Sequence, residues 1–152
     1  MTDTDTLENL IPHPAPTERV ARTLLVAIRR LAIGGLADAH ATNILIGDFG
    51  MAYRRPLLFL RILLAEVSRV AERQITIAPC CCTRMTEGEA IFLMIIDSAR
   101  AQPESARAGL ARMTGSLDCL PALSIAQALA DALDDIGHPL GLAQSKDSWT
   151  NF

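Results

Sequence analysis

Lysine is almost missing from this chain, and aromatic residues are few. Of 14 basic residues only Lys146 is a lysine, and Phe, Trp and Tyr together make up 4% of the 152 residues. The arginine bias, with abundant alanine, speaks to a GC-rich coding sequence rather than to function. Scarce aromatics leave no row of platforms on which exposed bases would stack. They also leave the core to Leu, Ile, Val, Ala and Met. A formal net charge of −3 is not the basic surface that displaces counterions from nucleic acid, so no nucleic-acid partner is expected. No uncharged apolar run reaches the roughly 18 to 20 residues that span a bilayer. The most apolar stretch, "PLLFLRILLAEVSRVAER", is broken by Arg61 and Glu66. The opening "MTDTDTLENL" is acidic and polar, unlike a secretory signal. These absences together predict a soluble cytoplasmic protein whose thiols are held reduced, so the four cysteines are not read as a disulfide framework.

What is present is a foldable composition. Half the residues are hydrophobic and 20% are charged, enough for one domain with a real core. Pro12, Pro14 and Pro16 forbid a helix interior, so residues 1–16 read as a flexible lead. Thr17 is placed to cap a helix from Glu18 to about Ile33. It carries Val20, Leu24, Leu25, Ile28 and Leu31 at helical spacing, with Arg19, Arg22, Arg29 and Arg30 largely on the other face. Gly34 and Gly35 supply its stop. A second helix, from Leu36 to Ile46, ends at Gly47, and "GDFG" reads as a turn. From Pro56 to about Arg73 a long helix is apolar on nearly every side, which predicts a central position in a bundle.

"QITIAP", near 75–79, is the single extended piece expected. Thr86 and Glu89 form a capping box for a helix to about Ala101. Pro103 opens another, stopped by Gly115. The last helix runs from Leu123 to Ile136, with Asp131, Asp134 and Asp135 on its wet side, and "GHP" ends it. The prediction is an all-α, single-domain bundle of about six helices over residues 17–137, followed by a polar tail at 138–152 that carries Trp149 and Phe152.

The chemistry concentrates in "APCCCTRMT". If the segment continues extended, Cys80 and Cys82 share one side and Cys81 faces the other. One soft ion, zinc or copper, would then take sulfurs from Cys80 and Cys82, with Cys81 near. It would need a further ligand: His40, Cys119, or with less support His13 or His138. The paired C-x-x-C spacing of a zinc ribbon is absent. A capped helix begins just beyond, and Arg84 stands beside the cysteines. Both features favour thiolates, while Glu87 and Glu89 oppose them. Against either role, cysteine is often just a small packed hydrophobe.

Other features carry less. His40 sits on the second helix near Asp38 and Asn43, where a lone histidine is more often a packing residue than a ligand. Arg54, Arg55 and Arg84 are candidate contacts for a phosphate or carboxylate. "DFG" at Asp48–Gly50 matches a protein-kinase turn, but the other kinase motifs are missing.

Taken together, "GGLADAH", "FGMAYRRPL" and "APCCCTRMT" resemble an uncharacterised family of small helical alphaproteobacterial proteins with a Pro-Cys-Cys-Cys motif. The resemblance covers roughly residues 12 to 140. It implies a helical fold and no known activity, cofactor or partner. Two functional readings therefore stand side by side. One is a cysteine-based soft-metal-binding or thiol redox-sensing module. The other is a non-catalytic interaction or scaffold protein, with a protein partner or a second copy of itself, whose cysteines are packed and inert. No catalytic set is complete, so the balance lies against an enzyme.

Overall fold

The computed structural model describes residues 10–142. Among them are six α-helices and one two-stranded antiparallel ribbon. In chain order they are β1 (His13–Pro14), α1 (Arg19–Gly34), α2 (Ala39–Phe49), a 3-10 turn (Gly50–Tyr53), α3 (Arg54–Val70), β2 (Arg84–Met85), α4 (Glu87–Ser98), α5 (Pro103–Thr114) and α6 (Leu120–Asp135). The chain is all-α in class, as its periodicity predicts. None of these helices is long and apolar enough to cross a membrane.

The core is aliphatic, as the shortage of aromatics requires. Leu24, Ile28 and Leu31 of α1 meet Leu60 and Leu63 of α3, Leu93, Ile95 and Ile96 of α4, and Ala126, Leu129 and Leu133 of α6 in one cluster. The most extensive packing joins α3 to α6, α4 to α5 and α1 to α2. Gly109 permits the α4–α5 approach, because a Cβ there would lie 3.0 Å from Met94 and 3.1 Å from Ile95.

Several boundaries differ from expectation, each for a local reason. Thr17 does not cap α1. Its hydroxyl donates to the Glu18 carboxylate (3.3 Å) and Glu18 becomes the N-cap residue. The second helix starts late, at Ala39, because Asp38 caps it by accepting from the Ala41 N–H (3.0 Å). It then runs through Gly47. Asp48 is held by Arg19 (2.6 Å) and by the Thr23 hydroxyl, and Phe49 is buried, so tertiary contacts override the glycine. "GDFG" is thus mostly helix, ending at Gly50 with φ +58°. The long apolar helix α3 is not central. Leu58 and Ile62 remain 52% and 39% exposed, and only Leu57, Leu60, Leu63, Val67 and their side of the helix face the core. The last helix opens at Leu120, with Pro121 in its first turn.

The extended pairing lies at Arg84–Met85, not at 75–79. Its partner is the lead: His13 pairs with Met85 and Pro14 with Arg84. In an extended segment alternate N–H groups point the same way. The prolines at 12, 14 and 16 therefore remove donors from one edge, while His13 and Ala15 keep theirs on the other. Ala15 N–H donates to the Thr83 carbonyl (3.3 Å), continuing that register. Thus the lead is tied to the domain by His13–Ala15. The tail residues Trp149 and Phe152 lie outside the described residues, whereas His138 packs its ring on Phe49 with centroids 5.3 Å apart.

One side chain breaks the expected pattern most. Arg29, assigned to the outer face of α1, is 1% exposed, and Glu89 of α4 is 0% exposed. They form a bidentate pair, Nε to Oε2 at 2.6 Å and Nη2 to Oε1 at 3.1 Å. The same carboxylate completes the expected capping box, since Thr86 N–H donates to Glu89 (2.9 Å) and Glu89 N–H donates to the Thr86 hydroxyl (3.1 Å).

Removing one partner of such a pair leaves the other charge buried. Arg29→Met is expected to destabilise the fold by about 3–5 kcal/mol, and Arg29→Met with Glu89→Met by clearly less than the two single changes summed. Urea unfolding of the single and double variants measures both, and additive losses would contradict the coupling.

Candidate functional site

The three cysteines do not alternate along a strand. Cys82 N–H donates to the Pro79 carbonyl (3.0 Å), closing a turn with Cys80 and Cys81 at its corners. Cys81 is exposed, and Cys80 and Cys82 are half-buried. The turn forms because the main chain beyond it is captured from below. Arg29 Nη1 donates to the Cys82 carbonyl and Nη2 to the Arg84 carbonyl, both at 2.7 Å. Thr86 adds a hydroxyl bond to the Thr76 carbonyl (2.7 Å) on the incoming strand of the loop.

The next residue of α1 acts on the same loop from outside. Arg30 donates to the Asp38 carboxylate, Nη2 to Oδ2 at 3.2 Å. Cys80 lies near enough to add to the electrostatic environment of Arg30. Asp38, and after it Cys80, hold the Arg30 guanidinium above its ordinary range. The Ala41 N–H, ahead of Arg30 and the nearby charge of His40, holds Asp38 below the usual carboxylate range. Gly34 makes this possible, since a Cβ there would collide with the Asp38 carboxylate. The arrangement is a half-buried thiol near a guanidinium that is fixed by a capping aspartate.

The remaining candidates fall elsewhere. His40 is exposed on the first turn of α2, and Asn43 is exposed one turn on. Cys119 is fully buried at the α5–α6 corner, where its thiol donates to the Ser116 carbonyl (3.1 Å). His13 lies in β1 and His138 against Phe49. Among the described residues no three His, Cys, Asp or Glu side chains converge as a metal site requires. Cys80, Cys81, Cys82 and His40, the expected ligand set, form no such group. Two of the three arginines expected to contact an anion hold partners within the chain. Arg84 donates to the carbonyls of Ile11 (2.9 Å) and Pro12 (2.7 Å), Arg55 pairs with Asp135 (3.1 Å), and Arg54 is exposed at the start of α3.

Residues 2–142 match a family of unknown function, DUF6628. The chain belongs to that family. No curated protein and no solved structure matches it.

The two residues that organise this DUF6628 site, Arg29 and Arg30, escaped the sequence reading because both were assigned to a polar face. A signal was present for Arg29. It lies four residues after Leu25 and next to Ile28, inside the apolar stripe rather than opposite it.

The mount of the lead carries a titrating group. Burial, ahead of the Arg84 and Arg112 charges and against the opposing pull of Glu87, lowers His13 from its ordinary 6.5. The folded state therefore favours the neutral ring, and the unfolded chain takes the proton first. Stability from this source is complete above pH 6.5 and is lost as pH falls from there through the lower folded value. An NMR titration should place the His13 midpoint below 6.5. The loss of stability between about pH 7 and about pH 5 should shrink in His13→Gln. A midpoint at or above the ordinary value would contradict the assignment.

Proposed function

We propose that this protein is a thiol redox-sensing module of the cytoplasm whose reactive group is Cys80. The observation that carries the reading is the turn that places Cys80 and Cys82 two residues apart, neither of them sealed in the core, with Arg30 of α1 braced by Asp38 close by. A guanidinium lends its charge to a neighbouring thiolate, the form that attacks oxidants. Cys80 is half-buried rather than sealed, so a small oxidant has a path to it. Cys82 follows two residues later at the end of the same turn and supplies a resolving thiol. Signalling of this kind needs no turnover, in keeping with a site that lacks a general base within its hydrogen-bonded set.

The soft-metal reading is weaker on the same geometry. Two sulfurs of the turn need at least one more ligand, and the Asp38 carboxylate is already engaged with Ala41 and Arg30.

The test is native-state alkylation with iodoacetamide, mapped by peptide mass. Cys80 is expected to react ahead of Cys119, and Arg30→Gln to slow Cys80 by about three- to tenfold while leaving Cys81 unchanged. After a hydroperoxide pulse, Cys82→Ser should retain a sulfenic acid at Cys80 that dimedone traps. If Cys80 and Cys81 react alike and Arg30→Gln changes neither, the thiol has no special environment, and the packed-cysteine reading takes its place.

A further inference from the structure

The Cys80–Cys82 turn is also the anchor of the N-terminal lead. Arg29 holds the carbonyls of Cys82 and Arg84 from the core side. The residue between them, Thr83, accepts from Ala15, and Arg84 and Met85 form the strand against which His13 and Pro14 lie. The Arg84 guanidinium then reaches over the ribbon to the carbonyls of Ile11 and Pro12. Every hydrogen bond named here that fastens residues 11–15 to the domain ends on residues 83–85, immediately after the thiol turn. The prolines on the other edge of the lead offer no donor with which to replace them.

We propose that oxidation of the turn releases the lead, making residues 11–16 a redox-controlled segment. This rests on the thiol reading above for its trigger, but the mechanical coupling stands on the hydrogen bonds alone. The Cys80 thiolate attacks a hydroperoxide, breaking the O–O bond and giving a sulfenic acid and an alkoxide that takes up a proton. The Cys82 sulfur then displaces the hydroxyl from Cys80 as water, forming the disulfide. Two thiols are oxidised and one hydroperoxide is reduced to an alcohol and water. A disulfide requires its two Cβ atoms within about 4.5 Å and a near-perpendicular dihedral. Cys80 and Cys82 occupy a corner and the end of a hydrogen-bonded turn, and closing so small a ring reorients the peptides between them. The Cys82 carbonyl lies just outside that ring, on the peptide that leaves the Cys82 Cα, so a change at Cys82 turns it, and it is one of the two carbonyls Arg29 holds. Losing that bond frees the segment leading into β2, and with it the register that the lead depends on.

Hydrogen exchange tests the coupling on the full chain, reduced or treated with diamide, which drives thiols to disulfides whatever their reactivity toward peroxide. With the Cys80–Cys82 disulfide confirmed by peptide mass, exchange at His13 and Ala15 should accelerate about tenfold, the scale of one lost charge-assisted hydrogen bond. Exchange in α6 should stay as it was. Arg84→Gln should speed the same two amides without any oxidant, and Cys82→Ser should show no response to diamide. Unchanged exchange in the disulfide form overturns the switch, as does failure of that disulfide to form or an equal response in Cys82→Ser. A hydroperoxide that leaves Cys80 untouched while the diamide-made disulfide still frees the lead supports the coupling and removes only the sensor reading.

Discussion

Arg29 and Glu89 meet where neither has water, and each charge carries a desolvation cost of several kcal/mol that only good geometry offsets. Their geometry is good: two parallel N–H to oxygen contacts, with the remaining capacity of each group used on main chain. Glu89 takes the Thr86 N–H, and Arg29 gives to two carbonyls. The pair therefore does more than close the gap between α1 and α4. It fixes the path of the chain from Cys82 into the first turn of α4, a stretch whose own regular structure before the helix is only the two-residue strand β2. A hydrophobic pair of equal volume would fill the space, but it would leave the carbonyls of Cys82 and Arg84 without donors.

Arg30 follows Arg29 directly, and adjacent residues of an α-helix point about 100° apart. That angle separates two tasks. Arg29 turns inward and binds the loop backbone, while Arg30 turns along the surface to Asp38. The loop backbone and the cap of α2 are thus tied to two consecutive residues of the same helix. Asp38 adds a third constraint. Because it caps α2, its carboxylate is held by the helix as well as by Arg30.

The helices were legible because their signals are local. The capping box at Thr86 and Glu89, Pro103 at a first turn and Gly115 with its φ of +77° are read from a few neighbouring residues. Features set by distant partners were not. Nothing near Gly47 says that Thr23 and Arg19 will hold Asp48 and carry α2 past it. Nothing near 84–85 says that a proline-rich lead some seventy residues earlier becomes its strand partner. The cysteines were singled out from their run in the sequence alone. Their arrangement depended on an arginine from another helix, and so the extended alternation expected for them gave way to a turn.

That turn also bears on how a metal could be held beside the cysteines. A divalent metal needs several lone pairs converging on one point and gains nothing from a cation beside them. Here the carboxylate that neutralises Arg30 is itself engaged by the Ala41 N–H. Recruiting Asp38 to a metal would break a helix cap and an ion pair together. A metal at this turn would therefore have to draw its further ligands from outside the set that Arg30, Asp38 and the Ala41 N–H already form.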